Sequence, residues 1–401
     1  MHFVITGATG FVGQLLVPIL LESGHRVTVV GRSLEKINAV FTDVEPATYE
    51  KLDYSLTTAD AFIHLAVVNN YSKLSTTDFE LANIELTEHV FARAVALKVP
   101  RKVNISTTHV LLNENKSVYT KTKYEAVRSL TKKYGSDIET LYLPAVYGVV
   151  WPHSLAFLEK MPRRIANVLF LFLKSIKPTV HIQKVADCIM NTGMDKSGHQ
   201  IILSDNQSDN WVYMSTKRLV DIFSSGFGLI FGLPVFAVVG LVVGMTSKGG
   251  SLFRQVRVGQ NEKVFICNKF RTMKSGTSNV GTHEVEESSI TAIGSVLRKT
   301  KLDEVPQLWN VLVGEMTLVG PRPNLPTQED VITARRQYGV YKVRPGITGR
   351  SQIKKIDMSE PVRLAISDSE YIALRSLTMD FSLLVQTILG KGSGDRVKNM
   401  Q

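Results

Sequence analysis

The sequence predicts an α/β chain: a parallel-sheet domain, then a mostly helical α/β domain that is associated with a membrane through a re-entrant apolar helix. Three observations carry this. Short β-branched runs alternate with helical patterns from residue 1 to about 205, as βαβ units do. Residues 222–247 contain no charge, and the remainder of the chain is first basic and then helical in pattern. The divisions fall at 1–210, 211–250 and 251–401, where Ser204-Asp-Asn-Gln-Ser-Asp-Asn210 reads as a polar linker.

A chain of 401 residues is too long for one ordinary core. Apolar content of 44% is well above that of a disordered chain. The net charge of +11 suits anionic partners, whether nucleic acid, phospholipid headgroups or phosphorylated substrates, and composition does not choose among them. Cys188 and Cys267 form no CxxC pair, so neither a zinc site nor a disulfide framework is expected, and a reducing cytosol is the simpler setting. Met1 runs straight into a strand-like segment, so no secretory signal is expected there. No repeat, heptad array or low-complexity tract is visible.

The first strand, Phe3-Val-Ile-Thr6, leads directly into Gly7-Ala-Thr-Gly10-Phe-Val-Gly13, with a helix expected over 14–22 and Gly24 closing it. Glycines so spaced allow a tight turn, close backbone approach to a pyrophosphate, and packing of the helix on the strand. The helix N-terminus then offers its free N–H groups to the phosphates. Gly7, Gly10 and Gly13 are thus the candidate cofactor residues of a Rossmann-type domain. The second strand, Arg26–Val30, ends in Gly31-Arg32-Ser33. An acidic residue there would hold the ribose hydroxyl of NAD, whereas Arg32 can pair with the 2′-phosphate of NADP(H). NADP(H) is expected, and NAD stays open.

Further on come Asp60-Ala-Phe-Ile-His-Leu-Ala66, Asn83, Val103-Asn-Ile-Ser-Thr107 and Tyr119-Thr-Lys-Thr-Lys123. Tyr119 and Lys123, four apart, share a helix face. An ammonium beside a phenol lowers its pKa, so tyrosine can exchange a proton with a carbinol or carbonyl near neutral pH. Taken together, these segments resemble the extended short-chain dehydrogenase/reductase family, the NAD-dependent epimerases, dehydratases and reductases of nucleotide sugars. The resemblance covers about residues 1–205, including Leu143–Gly148 and His181–Asp187. It implies that Thr107, Tyr119 and Lys123 form the catalytic trio, with Lys123 also holding the nicotinamide ribose.

Two departures matter. The 4,6-dehydratases carry Asp-Glu after the catalytic threonine; Thr108-His109 stand here, so dehydration is not expected. The stretch between Tyr147 and His181 is short for a sugar-binding lobe. An NADPH-dependent 4-keto reductase is the first expectation, a 4-epimerase the second, and a non-catalytic NADP(H)-binding scaffold the third. Within the short stretch, Arg163-Arg164 precede the apolar run 165–173, and Lys174 and Lys177 come after it. Such a run suits a membrane surface or a packed core equally, and no function is assigned to it.

The uncharged run Ile222–Ser247 is long enough to cross about 30 Å of hydrocarbon as a helix. Pro234 with Gly232 breaks or kinks it. Both flanks are basic, Lys217 and Arg218 before and Lys248 and Arg254 after, which puts both ends on the cytoplasmic side. A helix that dips in and returns satisfies both facts, and the protein is expected to be monotopic.

The most informative stretch is Leu297–Gly314. Leu302, Val305, Leu308, Trp309 and Leu312 form a helical stripe, and Pro306 suits a first turn. Asp303 then falls near a helix N-terminus, whose dipole keeps it ionised, with Arg298, Lys299 and Lys301 just before it. An ionised carboxylate beside cations, with Glu304 able to hold a divalent ion, can attack phosphorus. By itself Asp-Glu is more often an ordinary cap. Here it stands among Arg254–Gly259, Lys269–Thr272, Leu302–Asn310, Leu318–Pro323 and Val343–Gly349.

In that order the five segments closely resemble the bacterial sugar transferases, small monotopic polyprenol-phosphate phosphoglycosyl transferases, over about residues 215–395. The resemblance implies that Asp303 attacks the sugar-linked phosphate of a UDP-sugar, expels UMP and forms a phosphosugar–enzyme that polyprenol (undecaprenyl) phosphate then accepts. It also implies a requirement for Mg²⁺, with Glu304 as its ligand and Arg322 as a phosphate clamp. Lys269 and Arg271 would make further phosphate contacts, and Asp380 would play a supporting polar role. Leu233-Pro234 replaces a common Ser-Pro, and residues 350–361 lack a common Asn-Gly-Arg, which leaves the sugar undetermined.

The fusion implies a bifunctional enzyme of bacterial glycoconjugate synthesis (O-antigen, capsule or exopolysaccharide) at the inner membrane. Its front domain would finish the UDP-sugar that the back domain loads, a 6-deoxy-N-acetylhexosamine being the natural candidate. Its partners would be UDP-sugar, polyprenol phosphate and membrane lipid. No nucleic-acid motif accompanies the charge, and homodimers are common among relatives of both halves.

Overall fold

The sequence of the first half reads as a βαβ series, and the computed structural model shows how its strands combine. It describes residues 1–68, 74–112, 117–148, 157–158, 160–191, 200–246, 249–274 and 289–390. Lys248, one of the basic flanks named above, lies outside these. The chain divides into two compact units, residues 1–170 with 178–205, and residues 171–177 with 206–401.

In the first unit, β1 (His2–Thr6), β2 (Arg26–Gly31), β3 (Glu45–Thr48), β4 (Ala61–His64), β5 (Arg101–Thr107) and β6 (Glu139–Leu143) form a parallel sheet. A short parallel pair, β7 (Ala145–Tyr147) and β8 (Thr179–His181), lies apart from it, and β9 (Gln200–Ile202) pairs with β6. The sheet order is β3-β2-β1-β4-β5-β6-β9. Strand order therefore reverses between β1 and β4, where a crevice opens at the carboxyl ends of the strands. Both faces are covered: Phe3, Ile5, Val103 and Ile105 are buried on one side, Val4, Phe62 and Phe91 on the other. Strands buried on both faces read as continuous apolar runs, which is why they were visible in the sequence.

Helix α1 (Phe11–Glu22) begins at Gly10, and α2 (Val118–Tyr134) is capped by Ser117, whose hydroxyl accepts from the Thr120 amide. Helix α3 (Arg163–Ile176) precedes β8, and α4 (Ile182–Met190) comes after it.

The second unit starts with a turn where a loose linker was expected. The Asn210 amide oxygen accepts from the Val212 and Tyr213 amides, and its nitrogen donates to the Leu171 carbonyl. Gln207, buried, donates to the Lys174 carbonyl. These polar residues cap and tether a helix, and the division between units falls at Asp205–Asn206.

Helix α5 runs from Trp211 to Thr246 without interruption through Pro234. Among the described residues it is the one helix long and apolar enough to cross a membrane, and most of it is exposed. Its polar first third is fastened inward. Asp221 accepts from the Thr317 hydroxyl at 2.7 Å and the Leu318 amide at 3.0 Å. Arg218 donates to the Val311 and Leu312 carbonyls, the last turn of another helix. Its far end packs Phe236, Val239 and Val243 against Phe270 and Leu297. Lys217 and Arg218, read in the sequence as membrane flanks, are thus engaged within the protein.

Strands β10 (Leu252–Val258) and β11 (Val264–Phe270) form an antiparallel hairpin, and β12 (Thr317–Val319) and β13 (Gly346–Thr348) a short parallel pair. The second pair requires glycine: a Cβ on Gly346 would meet the Gly320 nitrogen at 2.1 Å, and one on Gly349 the Gly320 oxygen at 2.2 Å. The Gly-Pro-Arg-Pro and Arg-Pro-Gly segments owe their glycines to this backbone-to-backbone contact. Helices α6 (Ala292–Thr300), α7 (Gln307–Val313), α8 (Glu329–Gln337), α9 (Pro361–Leu374) and α10 (Leu377–Ile388) complete the unit.

Replacing Asp221 with Ala removes the acceptor for two buried donors and should cost about 1–3 kcal/mol. Thermal unfolding of the detergent-solubilised chain measures this. An unchanged midpoint would mean that the bonds to Thr317 and Leu318 do not hold the helix.

Candidate active sites

In the first unit, Gly7 lies at the reversal of strand order with φ +72°, and a Cβ there would meet the Ala66 nitrogen at 2.3 Å. No other residue fits this turn. Gly10 caps α1 without any side-chain bond, and a Cβ on Gly13 would strike the Ala8 carbonyl at 2.2 Å. The first-turn amides of α1 have no intrahelical acceptor, so the glycine cradle fits a pyrophosphate. Arg32 is exposed just past β2, close enough to Tyr49 to act on its phenol electrostatically.

The structure brings Thr107, Tyr119 and Lys123 together at the end of β5. The Tyr119 phenol bonds with the Thr107 hydroxyl, and the buried Lys123 ammonium donates to the Ile105 carbonyl at 2.9 Å. Burial pushes the Tyr119 phenol above its ordinary 10.0, with the Thr107 bond the weaker, opposing influence. The sequence reading expected Lys123 to lower the phenol, and in this arrangement burial wins. Burial also lowers Lys123 to about 8. His64, wholly buried between Thr6 and Thr87, is lowered to about 3, by burial first and then by Lys123. Asn83 donates to the Thr122 hydroxyl and bonds both backbone groups of Val68. Sequence reasoning missed Asn104 and Ser106, whose buried side chains have no partner among the described residues.

In the second unit, Lys301 takes the left-handed conformation after α6, and a single 3₁₀ turn, Leu302–Glu304, comes next. Helix α7 starts only after Pro306. Asp303 therefore lies outside its first turn, and the expected dipole effect, which fades within a turn, does not govern it. Its carboxyl is 9% exposed and raised from 3.8 to about 6, by burial first and then by Glu304, against Lys269, Arg298 and Arg322. The expected dipole support is not what sets this group: burial, then Glu304, raises it against the three cations.

Glu304 Oε1 accepts from Arg322 at 2.7 Å and Lys269 at 3.2 Å. Lys269 is carried by β11, which Asn310 of α7 holds through the Asn268 amide and the Ile266 carbonyl. Arg322 is fixed by its backbone: its carbonyl accepts from Arg335, which pairs with the buried Asp368, and the Pro323 carbonyl accepts from Arg257. Asp303, Glu304, Lys269 and Arg322 thus form one cluster.

Arg271 is not among them. Its guanidinium donates to the Gly249, Gly250 and Leu252 carbonyls and lies over the Phe253 ring. Asp380 is also elsewhere, accepting from Tyr213, Lys217 and Tyr371. Two donors that sequence reasoning did not carry forward are Arg298, whose Nε bonds Thr272 and whose buried Nη1 has no partner among the described residues, and Gln307, whose buried Nε2 has none among them either. Both stand within five residues of Asp303, the one signal that could have found them.

No group of three or more His, Cys, Asp or Glu able to hold a metal is found among the described residues. Mg²⁺ commonly takes only one or two protein carboxylates beside substrate phosphates, and Asp303-Glu304 fits that sparse requirement.

Residues 212–391 match the family model described as bacterial sugar transferase. The exopolysaccharide production protein PSS of Rhizobium leguminosarum bv. phaseoli is 34% identical over 190 residues, which is 44% of this chain and 94% of that protein. The chain belongs to the bacterial sugar transferase family. The UDP-glucose:undecaprenyl-phosphate glucose-1-phosphate transferase of Caulobacter vibrioides is 33% identical over 43% of this chain and 68% of its own length. A Klebsiella pneumoniae protein of the same description is 36% identical over 45% of this chain, which spans only 40% of that relative.

Ahead of the transferase half, residues 3–189 match the NAD dependent epimerase/dehydratase family. A short-chain dehydrogenase/reductase superfamily protein of Agrobacterium tumefaciens solved with bound NAD is 16% identical over 51% of this chain and 78% of its own, with a TM-score of 0.40, too distant a likeness to bear on function.

A carboxyl raised to about 6 favours the fold while protonated. That contribution is full below pH 3.8 and is lost as pH rises through 6. Asp303→Asn should therefore be more stable than the parent at pH 8, by at most about 3 kcal/mol at about 1.36 kcal/mol per pH unit, and equal to it below pH 4. Denaturation at both pH values checks this, and equal stabilities at pH 8 would reject a buried, raised Asp303.

Proposed function

We propose that the second unit transfers a sugar 1-phosphate from a UDP-sugar to a polyprenol phosphate such as undecaprenyl phosphate, through an aspartyl phosphosugar formed on Asp303, with release of UMP. The observation that carries this is the buried Asp303 beside Glu304, Lys269 and Arg322 inside the segment shared with the family. Asp303 attacks the sugar-linked phosphorus, and the phosphorus–oxygen bond to UMP breaks. The lipid phosphate then takes the phosphosugar and Asp303 is restored. Lys269 and Arg322 neutralise phosphate charge, and Arg298 and Gln307 offer further donors. Glu304 would hold Mg²⁺, which supplies neutralisation of the diphosphate when bound.

The protein is proposed to be monotopic at the bacterial inner membrane, with both units cytoplasmic. Helix α5 touches its own catalytic unit at Gly228, against Leu308, and again at Phe236. Those eight residues make about 12 Å of helix, far short of about 30 Å of hydrocarbon. The short separation of the two contacts supports the monotopic reading.

For the first unit the proposed activity is NADPH-dependent reduction of a UDP-4-keto sugar. A nicotinamide bound there would supply the hydride; Tyr119 would give the proton, Thr107 would hold the carbonyl oxygen, and Lys123 would bind the nicotinamide ribose. The buried trio and the glycine cradle support it, and the exposed Arg32 favours a 2′-phosphate.

Asp303→Asn should lower UMP release at least 1,000-fold and abolish labelling of the protein by a UDP-sugar carrying ³²P in the sugar-linked phosphate, while NADPH oxidation is kept. Labelled protein from the variant would remove Asp303 as nucleophile. Tyr119→Phe should do the reverse, cutting NADPH oxidation with a UDP-4-keto-6-deoxy sugar at least 100-fold with UMP release unchanged. Interconversion of 4-epimers without net NADPH use would make the unit an epimerase, and neither activity a scaffold. Arg32→Ala should raise the KM for NADPH at least tenfold and leave that for NADH within twofold; equal effects would reject 2′-phosphate recognition.

A further inference from the structure

The Arg163–Ile176 helix, to which the sequence assigned nothing, carries an apolar stripe that the fold leaves uncovered. Ile165, Val168 and Phe172 are 58%, 53% and 46% exposed. Their spacing of three and four residues sets them on one side of the helix, with Met161 a turn earlier also exposed. The opposite side is spent on packing: Ala166 and Phe170 are buried, and Phe170 meets the Tyr147 ring edge-on. This helix therefore has a core face and a second apolar face that a globular protein has no reason to keep in water.

Charge identifies the occupant. Lys160, Arg163 and Arg164 stand exposed at the start of the helix and Lys177 at its end, and none forms an ion pair among the described residues. Between Lys160 and Lys177 there is no acidic residue. An apolar stripe bracketed by unpaired cations matches a bilayer surface rich in anionic headgroups: the cations meet phosphate, and the stripe enters the boundary with the acyl chains. A second protein would need carboxylates at both ends of a narrow apolar strip. The helix also ends beside the membrane element. Its Leu171 and Lys174 carbonyls accept from Asn210 and Gln207, which lead into α5, and its Ile176 carbonyl accepts from Thr378.

We infer that the Arg163–Ile176 helix is a second, shallow membrane contact that lies in the headgroup region of an anionic leaflet, in addition to α5. It rests on the monotopic reading proposed above. Its consequence is that the nucleotide-sugar-modifying half is held at the lipid surface by its own contact, and not only by the chain that joins it to the transferase.

The test uses the full chain in phosphatidylcholine vesicles with and without phosphatidylglycerol. Cys188 and Cys267 are buried, so one added cysteine accepts an environment-sensitive fluorophore selectively. Labels are placed at Val168→Cys on the stripe, Asn167→Cys on another face, and Phe227→Cys in α5. Nitroxide-bearing lipid should quench the label at 168 to within about twofold of that at 227, more strongly with phosphatidylglycerol, and leave 167 unquenched. R163E/R164E should reduce quenching at 168 at least twofold and leave 227 unchanged. Water-like emission at 168 with 227 quenched overturns the inference and spares the monotopic reading. A blue shift at 168 without lipid quenching overturns it in favour of a protein partner or a second copy. An unquenched label at 227 removes the monotopic reading, and this inference with it.

Discussion

Asp380 organises the transferase half. One buried carboxylate accepts from the Tyr213 hydroxyl at 2.9 Å, the Lys217 ammonium at 2.7 Å and the Tyr371 hydroxyl at 2.7 Å. Tyr371 and Lys217 each donate also to the Val319 carbonyl, three residues before Arg322. The beginning of α5, the start of α10 and the strand that leads to Arg322 thus meet at Asp380. A buried carboxylate is tolerable only with such a set of donors, because an unpaired charge there would cost several kcal/mol. The arrangement ties the polar start of α5 to the strand that leads into the Arg322 cluster.

Asp303 shows a different solution. Among the described residues it has no such donors, and burial with Glu304 as neighbour raises it to about 6 despite Lys269, Arg298 and Arg322. Within one unit, then, the buried carboxyl at 380 is held by three hydrogen-bond donors, and the one at 303 is raised by burial. The dehydrogenase-like half repeats the contrast. Burial pushes Tyr119 up and Lys123 down, so both are kept nearer neutral than they would be in water.

The fold was largely legible because its signals are local. Doubly buried parallel strands leave apolar runs, and a dinucleotide turn leaves Gly7, Gly10 and Gly13 in a row. The segments around Asp303, Arg322 and Gly346 stand in the chain much as the cluster uses them. The illegible features depend on long-range contacts. Lys217 and Arg218 have the composition of membrane flanks, and only the positions of Asp380 and of the α7 carbonyls show that they point inward. Arg271 stands two residues from Lys269 and looks equivalent to it. On a strand those two share a face, yet the chain leaves β11 at Phe270, and Arg271 turns back to the carbonyls just past α5. Polar residues 204–210 resemble a linker because caps and linkers draw on the same amino acids.

A raised Asp303 also bears on how a diphosphate is handled. An incoming anion alone would raise the carboxyl further, since like charge opposes ionisation, and would draw Lys269 and Arg322 away from Glu304. The nucleophile would then be least ionised when its target arrives. On the proposed reading, a divalent ion accompanying the diphosphate would add positive charge beside the two cations that Glu304 and the substrate share. Such an ion beside the diphosphate would keep Asp303 ionised in the presence of the anion, as a carboxyl raised to about 6 already largely is near neutral pH.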